Sequence, residues 1–144
     1  MARRSERESM DRTLMIIKPD AVAKHVIGQI LQRVEAEGFV IRQLRLTQLT
    51  KEQAESFYAV HKERPFYGEL VKFMTSGPAV PMALERADAV AHLRQFIGAT
   101  DSAKAAPGTI RREFGTDVQC NAVHASDSPE NAAREIEFFF GKNA

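Results

Sequence analysis

Asn121-Ala122-Val123-His124-Ala125-Ser126-Asp127-Ser128, followed at once by Pro129, joins a short apolar stretch to the start of a helical pattern. Ala122 and Val123 read as the end of a buried strand, and Ser128 before Pro129 is the N-cap and first-position pair that opens helices. His124 therefore falls at a strand-to-helix junction, where side chains face a cleft. The backbone N–H groups and dipole of a helix start favour anions by about 0.3–1 kcal/mol even at an exposed surface, so a phosphoryl group is a suitable neighbour for this histidine.

Working outward, Leu14-Met15-Ile16-Ile17 is a continuous apolar run, the pattern of a central strand buried on both faces, and Lys18-Pro19-Asp20 stops it with Lys18 at the strand end. Ile27, Ile30, Leu31 and Val34 recur at helical spacing, with Gly38 as a C-terminal cap, and predict a helix over 27–37. Phe39 to Leu49 reads as a second strand whose apolar parity shifts between Ile41 and Leu44, a bulge or a change of covered face. Thr50 and Gln53 form a capping box before the inward stripe of Ala54, Phe57 and Tyr58. Arg64-Pro65-Phe66 breaks that helix, and Leu70, Val71 and Met74 suggest another short one.

Ala79 to Glu85 reads as a third strand, in which Pro81 implies an edge position or a bulge. Val90, Leu93 and Ile97 mark a helix closed by Gly98, and the long irregular segment 99–120 is of the kind that often carries function. The last helix buries Ala132, Ile136 and Phe139, while Phe138-Phe139-Phe140 is more apolar than one stripe needs and hints at a subunit contact. The order of elements suits an α+β sandwich, helices over a small antiparallel sheet.

A chain of 144 residues suits one domain, here residues 12–144, preceded by a charged N-terminal tail over 1–11 expected to be flexible. Net charge +1, with 27% charged and 44% hydrophobic residues, gives no general electrostatic case for nucleic acid or an anionic membrane; any anion site is local. The tail lacks the apolar run of a signal peptide, and no stretch approaches the roughly 20 apolar residues of a spanning helix. One cysteine, Cys120, excludes an intramolecular disulfide and fits a reducing compartment, with cytoplasm as the expectation.

Asn-x-Val-His-x-Ser-Asp-Ser resembles the active-site signature of the nucleoside diphosphate kinases, and the resemblance runs from about Arg12 to Phe140. It implies a ferredoxin-like sandwich, a four-stranded antiparallel sheet covered by helices. It also implies ping-pong transfer of the γ-phosphoryl group of a nucleoside triphosphate, typically ATP, to a diphosphate such as GDP through a phosphohistidine on His124. Ile17-Lys18-Pro19-Asp20 is similar to the family's opening strand, so Lys18 inherits contact with the transferring phosphate. Arg64-Pro65-Phe66 matches the segment whose phenylalanine stacks on the nucleobase, with Val118 on its other face.

The same resemblance assigns phosphate contacts to Arg94, Thr100 and Arg111, an active-site tyrosine to Tyr58, sugar and phosphate contact to Asn121, and support of the histidine to Ser126 with Glu135. Mg²⁺ is expected on the nucleotide phosphates, with no metal cage of protein side chains. A homo-oligomer is expected, a tetramer or hexamer built from dimers. Without the resemblance, Lys18 is an ordinary strand-end lysine, Tyr58 and Phe66 core or rim aromatics, and Arg94 and Arg111 solvated charges. Three residues depart from the family pattern: Ala125 and Arg86 stand where glycine is usual, and Ser102 where proline is usual. If the Ala125 position needs positive φ, His124 shifts, and the alternative reading is a non-catalytic nucleotide-binding protein of the same fold.

Overall fold

The chain is described over residues 10–142 of a computed structural model. Its strands are β1 (Met10–Ile17), β2 (Val40–Leu44), β3 (Val80–Ala87) and β4 (Val123–Ala125). Its α-helices are α1 (Pro19–Ala23), α2 (Ile27–Ala36), α3 (Lys51–Phe57), α4 (Tyr67–Met74), α5 (Ala89–Ile97), α6 (Ile110–Phe114) and α7 (Pro129–Phe140). The strands form one antiparallel sheet in the order β2-β3-β1-β4, the expected α+β arrangement. The expected tail, residues 1–11, lies outside the described residues apart from Met10 and Asp11, which pair with Ala87 and Arg86 and so belong to β1.

Strand alternation explains the continuous apolar run of β1. Met15 and Ile17 face one core with Ile30, Val34, Leu93 and Ile97 of α2 and α5, while Leu14 and Ile16 face another with Ala54, Phe57, Val71, Met74, Ile136 and Phe139 of α3, α4 and α7. Both faces of the sheet are therefore covered. The parity shift in β2 is a register slip between Ile41 and Gln43, and the strand is shorter than expected, with Thr47 bridging Ala79 in isolation. Thr50 and Gln53 exchange both capping-box bonds, at 3.1 and 2.9 Å.

One expectation needs correction. Pro81 sits not at an edge but in β3, paired on both flanks. It stands opposite Arg45 at the end of the β2 ladder: its carbonyl accepts the Arg45 N–H at 3.1 Å but it has no N–H to return the bond, β2 ends at Leu44, and pairing resumes only at the Thr47–Ala79 bridge. Part of the Phe138–Phe140 surplus is covered within the chain: Phe138 and Phe139 pack on Phe57 with ring centroids 5.3 and 5.1 Å apart, and the Arg45 guanidinium lies 5.2 Å from the Phe140 ring, while Phe138 and Phe140 stay partly exposed. Large exposed apolar side chains also lie along β2 and just beyond it, at Val40, Leu44 and Leu46.

Gly98 ends α5 with φ +94°, and a Cβ added there would stand 2.6 Å from the Thr109 hydroxyl oxygen and 2.7 Å from its Cβ. Gly98→Ala therefore combines a left-handed backbone penalty with a clash. It is expected to destabilise the fold by about 1–3 kcal/mol, read as a lower urea midpoint at unchanged slope; an unchanged midpoint contradicts this.

Candidate active site

His124 pairs with Ile16 across the β1–β4 ladder and so shares the face of the sheet that α3 and α7 cover. Lys18 has the same parity as Leu14 and Ile16 and emerges on that side where Pro19 turns β1 into α1. Four short facts of sequence thus converge: a strand end, a three-residue strand, the C-terminus of α3 with Tyr58, and the inward face of α7. Ser128 caps α7, its hydroxyl accepting the Asn131 N–H at 3.1 Å, and the stripe of Ala132, Glu135, Ile136 and Phe139 turns Glu135 inward.

The imidazole is fixed at one nitrogen. His124 Nε2 lies 2.9 Å from Glu135 Oε1, which also accepts the Ser126 hydroxyl at 2.7 Å. Burial alone would raise the Glu135 pKa, but the bonds from His124 and Ser126 outweigh it and hold the carboxyl below its usual range. An ionised Glu135 accepts the Nε2 proton, leaving the Nδ1 lone pair free. Phe57 and Tyr58 meet the ring edge-on, with centroids 5.6 and 6.2 Å away. Burial, then the Glu135 charge, pushes the Tyr58 phenol upward, so it remains a neutral O–H at working pH.

A cleft of about 540 Å³ opens on this histidine, lined among others by Lys18, Tyr58, Phe66, Thr100, Arg111, Val118 and Asn121. The Lys18 ammonium donates to Asn121 Oδ1 and to the Gln119 carbonyl, both at 2.8 Å, and burial pulls its pKa down to about 8. Asn121 in turn donates to the Thr100 and Val118 carbonyls at 3.0 and 2.9 Å. Arg111 reaches the Gly98 and Val123 carbonyls at 3.1 and 3.0 Å; burial and then Arg94 lower its pKa to about 10, so it stays cationic at neutral pH. Its Nε is buried with no partner among the described residues. Phe66 and Val118 keep 49% and 56% of their surface open, unusual for apolar side chains at a cleft unless something flat covers them.

Of the residues singled out by sequence, Arg94 and Ser126 do not line the cleft. Arg94 is exposed and donates to the Ala125 carbonyl at 3.2 Å, and Ser126 lies fully buried behind Glu135. Sequence reasoning missed His61, Val60, Gln119 and Arg134, all of which line it. His61 follows Tyr58 by three residues in the 3₁₀ turn Ala59–His61, where such spacing eclipses side chains, and its ring centroid is 5.7 Å from that of Phe66. Arg134 stacks over Phe57 at 6.0 Å and stands 3.6 Å from the second Glu135 oxygen.

The three departures are accommodated locally. Ala125 lies in β4 and is not among the residues of positive φ; Ala122 is, at +75°. The strained position is thus three residues earlier than the sequence suggests, a cost of about 1–2 kcal/mol for an L-residue. Ser102 is buried and donates to the Asp117 carbonyl at 3.1 Å, and Arg86 donates to the Glu37 and Ala87 carbonyls, both at 3.0 Å, away from the cleft.

Comparison with known proteins agrees with this geometry. Residues 11–144 match the family model described as nucleoside diphosphate kinase. A nucleoside diphosphate kinase of Anaeromyxobacter sp. (strain K) is 58% identical over 132 residues, covering 92% of this chain and 90% of the relative. That of a Nitratiruptor species is 56% identical over 133 residues, covering 92% and 97%. Among solved structures, the Aquifex aeolicus nucleoside diphosphate kinase superposes with TM-score 0.89 at 53% identity, covering 91% of this chain and 95% of that one. A Halobacterium salinarum nucleoside diphosphate kinase in complex with CDP does so with TM-score 0.88 at 41% identity, covering 92% and 89%. Matched along nearly its whole length at such identity, the chain belongs to the nucleoside diphosphate kinase family.

Proposed function

We propose that this chain moves the γ-phosphoryl group of a nucleoside triphosphate such as ATP to a nucleoside diphosphate such as GDP by way of His124. The observation that carries the reading is the His124–Glu135 bond at 2.9 Å, which leaves Nδ1 as the free nucleophile at the floor of a cationic cleft. In the first half-reaction the Nδ1–P bond forms as the bond from phosphorus to the β–γ bridging oxygen breaks, and that oxygen leaves with the electron pair on the diphosphate. In the second, the terminal oxygen of the incoming diphosphate attacks phosphorus and the P–N bond breaks, restoring neutral imidazole. Glu135, backed by Ser126, keeps the Nε2 proton throughout and stabilises the charged phosphohistidine.

Lys18, Arg111 and Thr100 hold the phosphates, Arg94, close enough to act on the Arg111 charge, adds its own, and Asn121 ties sugar and phosphate to Lys18. The cationic side chains of Lys18 and Arg111, both lining the cleft, support this. Tyr58 lends a neutral hydroxyl beside the nucleophile. Phe66 and Val118 clamp the base by stacking and apolar contact, which reads every base alike. Glu135, the carboxylate at the nucleophile, is engaged by His124 and Ser126, so Mg²⁺ would be held by the nucleotide's own oxygens. When bound, the ion would supply screening of the phosphate charge.

Residues 12–144 are read as the single working domain, assembled as a tetramer or hexamer built from dimers, and the one cysteine favours the cytoplasm. Among the described residues no helix is long and apolar enough to cross a membrane. Initial velocities with ATP varied at several fixed GDP concentrations test the mechanism: parallel double-reciprocal lines are expected, and intersecting lines contradict a phosphoenzyme.

Lys18 gives the pH dependence. Because burial places its pKa at about 8 in the free protein, the ammonium loses its proton as pH rises through that value. The free-enzyme parameter kcat/KM for ATP is expected to fall there, and Lys18→Arg, which stays protonated, to flatten that limb. A profile that stays level well above this pH contradicts the assignment.

A further inference from the structure

Asp20 has no role in the scheme above, yet it lies against the backbone that carries the site. Ala122 is the central residue of a γ-turn, with the Val123 N–H donating to the Asn121 carbonyl at 2.9 Å and φ of +75° at Ala122 itself. Both polar backbone groups of Ala122 face away from that turn bond, and both are taken up by the segment that follows β1. Its carbonyl accepts the Lys18 N–H at 2.9 Å, and its N–H donates to Asp20 Oδ2 at 3.1 Å. The other oxygen, Oδ1, is buried with no partner among the described residues.

Alanine has no intrinsic preference for this backbone region, whereas glycine enters it freely. The turn sits immediately between Asn121, whose side chain bonds Lys18 at 2.8 Å, and the strand that carries His124. We propose that Asp20 is a positioning residue for phosphoryl transfer: its carboxylate holds Ala122 in the left-handed γ-turn and so sets how Asn121 and His124 face the cleft. This rests on His124 being the nucleophile. The neighbours able to respond to the Asp20 charge itself are Lys18 and Cys120, so an effect through charge is the competing account.

The test is the single-turnover rate of phosphoenzyme formation from Mg-ATP, with the KM for ATP and the thermal midpoint, for the full chain and three variants. Asp20→Ala is expected to slow phosphorylation about tenfold or more, as a sub-ångström misplacement of a nucleophile does, with KM changed by less than about threefold. Asp20→Asn keeps an oxygen acceptor for the Ala122 N–H without the charge and is expected to stay near the parent rate. Asp20→Ala combined with Ala122→Gly is expected to recover most of the lost rate, because glycine adopts the turn unaided.

Equal losses in Asp20→Asn and Asp20→Ala would assign the effect to charge beside Lys18 and overturn the proposal. So would a double variant no faster than Asp20→Ala, or an Asp20→Ala variant at the parent rate. Where Asp20→Ala alone does not fold, folded and phosphorylating protein on adding Ala122→Gly supports the proposal, and failure to recover overturns it. A parent chain that takes up no phosphoryl group would instead overturn the nucleophile reading, and this one with it.

Discussion

His124→Ala is expected to leave a folded protein that binds nucleotide and forms no phosphoenzyme, with exchange reduced by about 10³-fold or more, as losses of covalent nucleophiles typically are. The fold should survive because the imidazole is only half-buried and its partner Glu135 keeps the Ser126 hydroxyl at 2.7 Å. Nucleotide binding should survive because Lys18, Arg111, Phe66 and Val118 stand on other elements. Radiolabelled Mg-ATP with acid-free quenching gives the first quantity and equilibrium dialysis the second. Label retained on the variant would remove His124 as the nucleophile, whatever the steady-state rate.

Arg111→Ala is expected to slow phosphoenzyme formation by about ten- to a hundredfold, the equivalent of one charged hydrogen bond of about 1.5–3 kcal/mol, and to raise the ATP concentration required. A second consequence follows from its position. The guanidinium bonds the carbonyls of Gly98 and Val123, so its loss also leaves two backbone acceptors unsatisfied, one at the end of α5 and one beside His124. The variant is therefore expected to melt lower as well. Kinetics equal to those of the parent at a lowered melting point would make Arg111 a structural residue alone.

The features legible in sequence were those with local causes. The β1 run announced a strand buried on both faces, the Thr50 and Gln53 box opened a helix where both capping bonds are found, and Ser128-Pro129 opened α7. What escaped has short or distant causes. Helices α1 and α6 have five residues each, too few for a 3.6-residue period to register. Pro81 misled because a paired strand takes a proline where the neighbouring ladder gives out, as β2 does at Leu44, and that is set much earlier in the chain. The Phe138–Phe140 surplus could not disclose that Phe57 and Arg45 would cover part of it.

The site shows the same division. The family resemblance, and not residue type alone, assigned phosphate contact to Lys18, Asn121 and Arg111 and support of His124 to Ser126 with Glu135; that His124 and Ser126 meet on one Glu135 oxygen is set by the packing of α7 against β4. Strain was sought at Ala125, where a glycine was missing, and lies at Ala122. Nothing in an alanine signals positive φ; the acceptor that fixes it, Asp20, is 102 residues away. His61 carries no motif in the sequence, and its packing on Phe66 comes from a single 3₁₀ turn.

The central claim is that phosphate passes through the protein itself, and intact mass reads it most directly. Brief incubation of the chain with Mg-ATP is predicted to add one acid-labile phosphoryl group, which disappears when GDP is added. ATP bound with no gain in mass, or a gain that GDP leaves in place, would contradict the account.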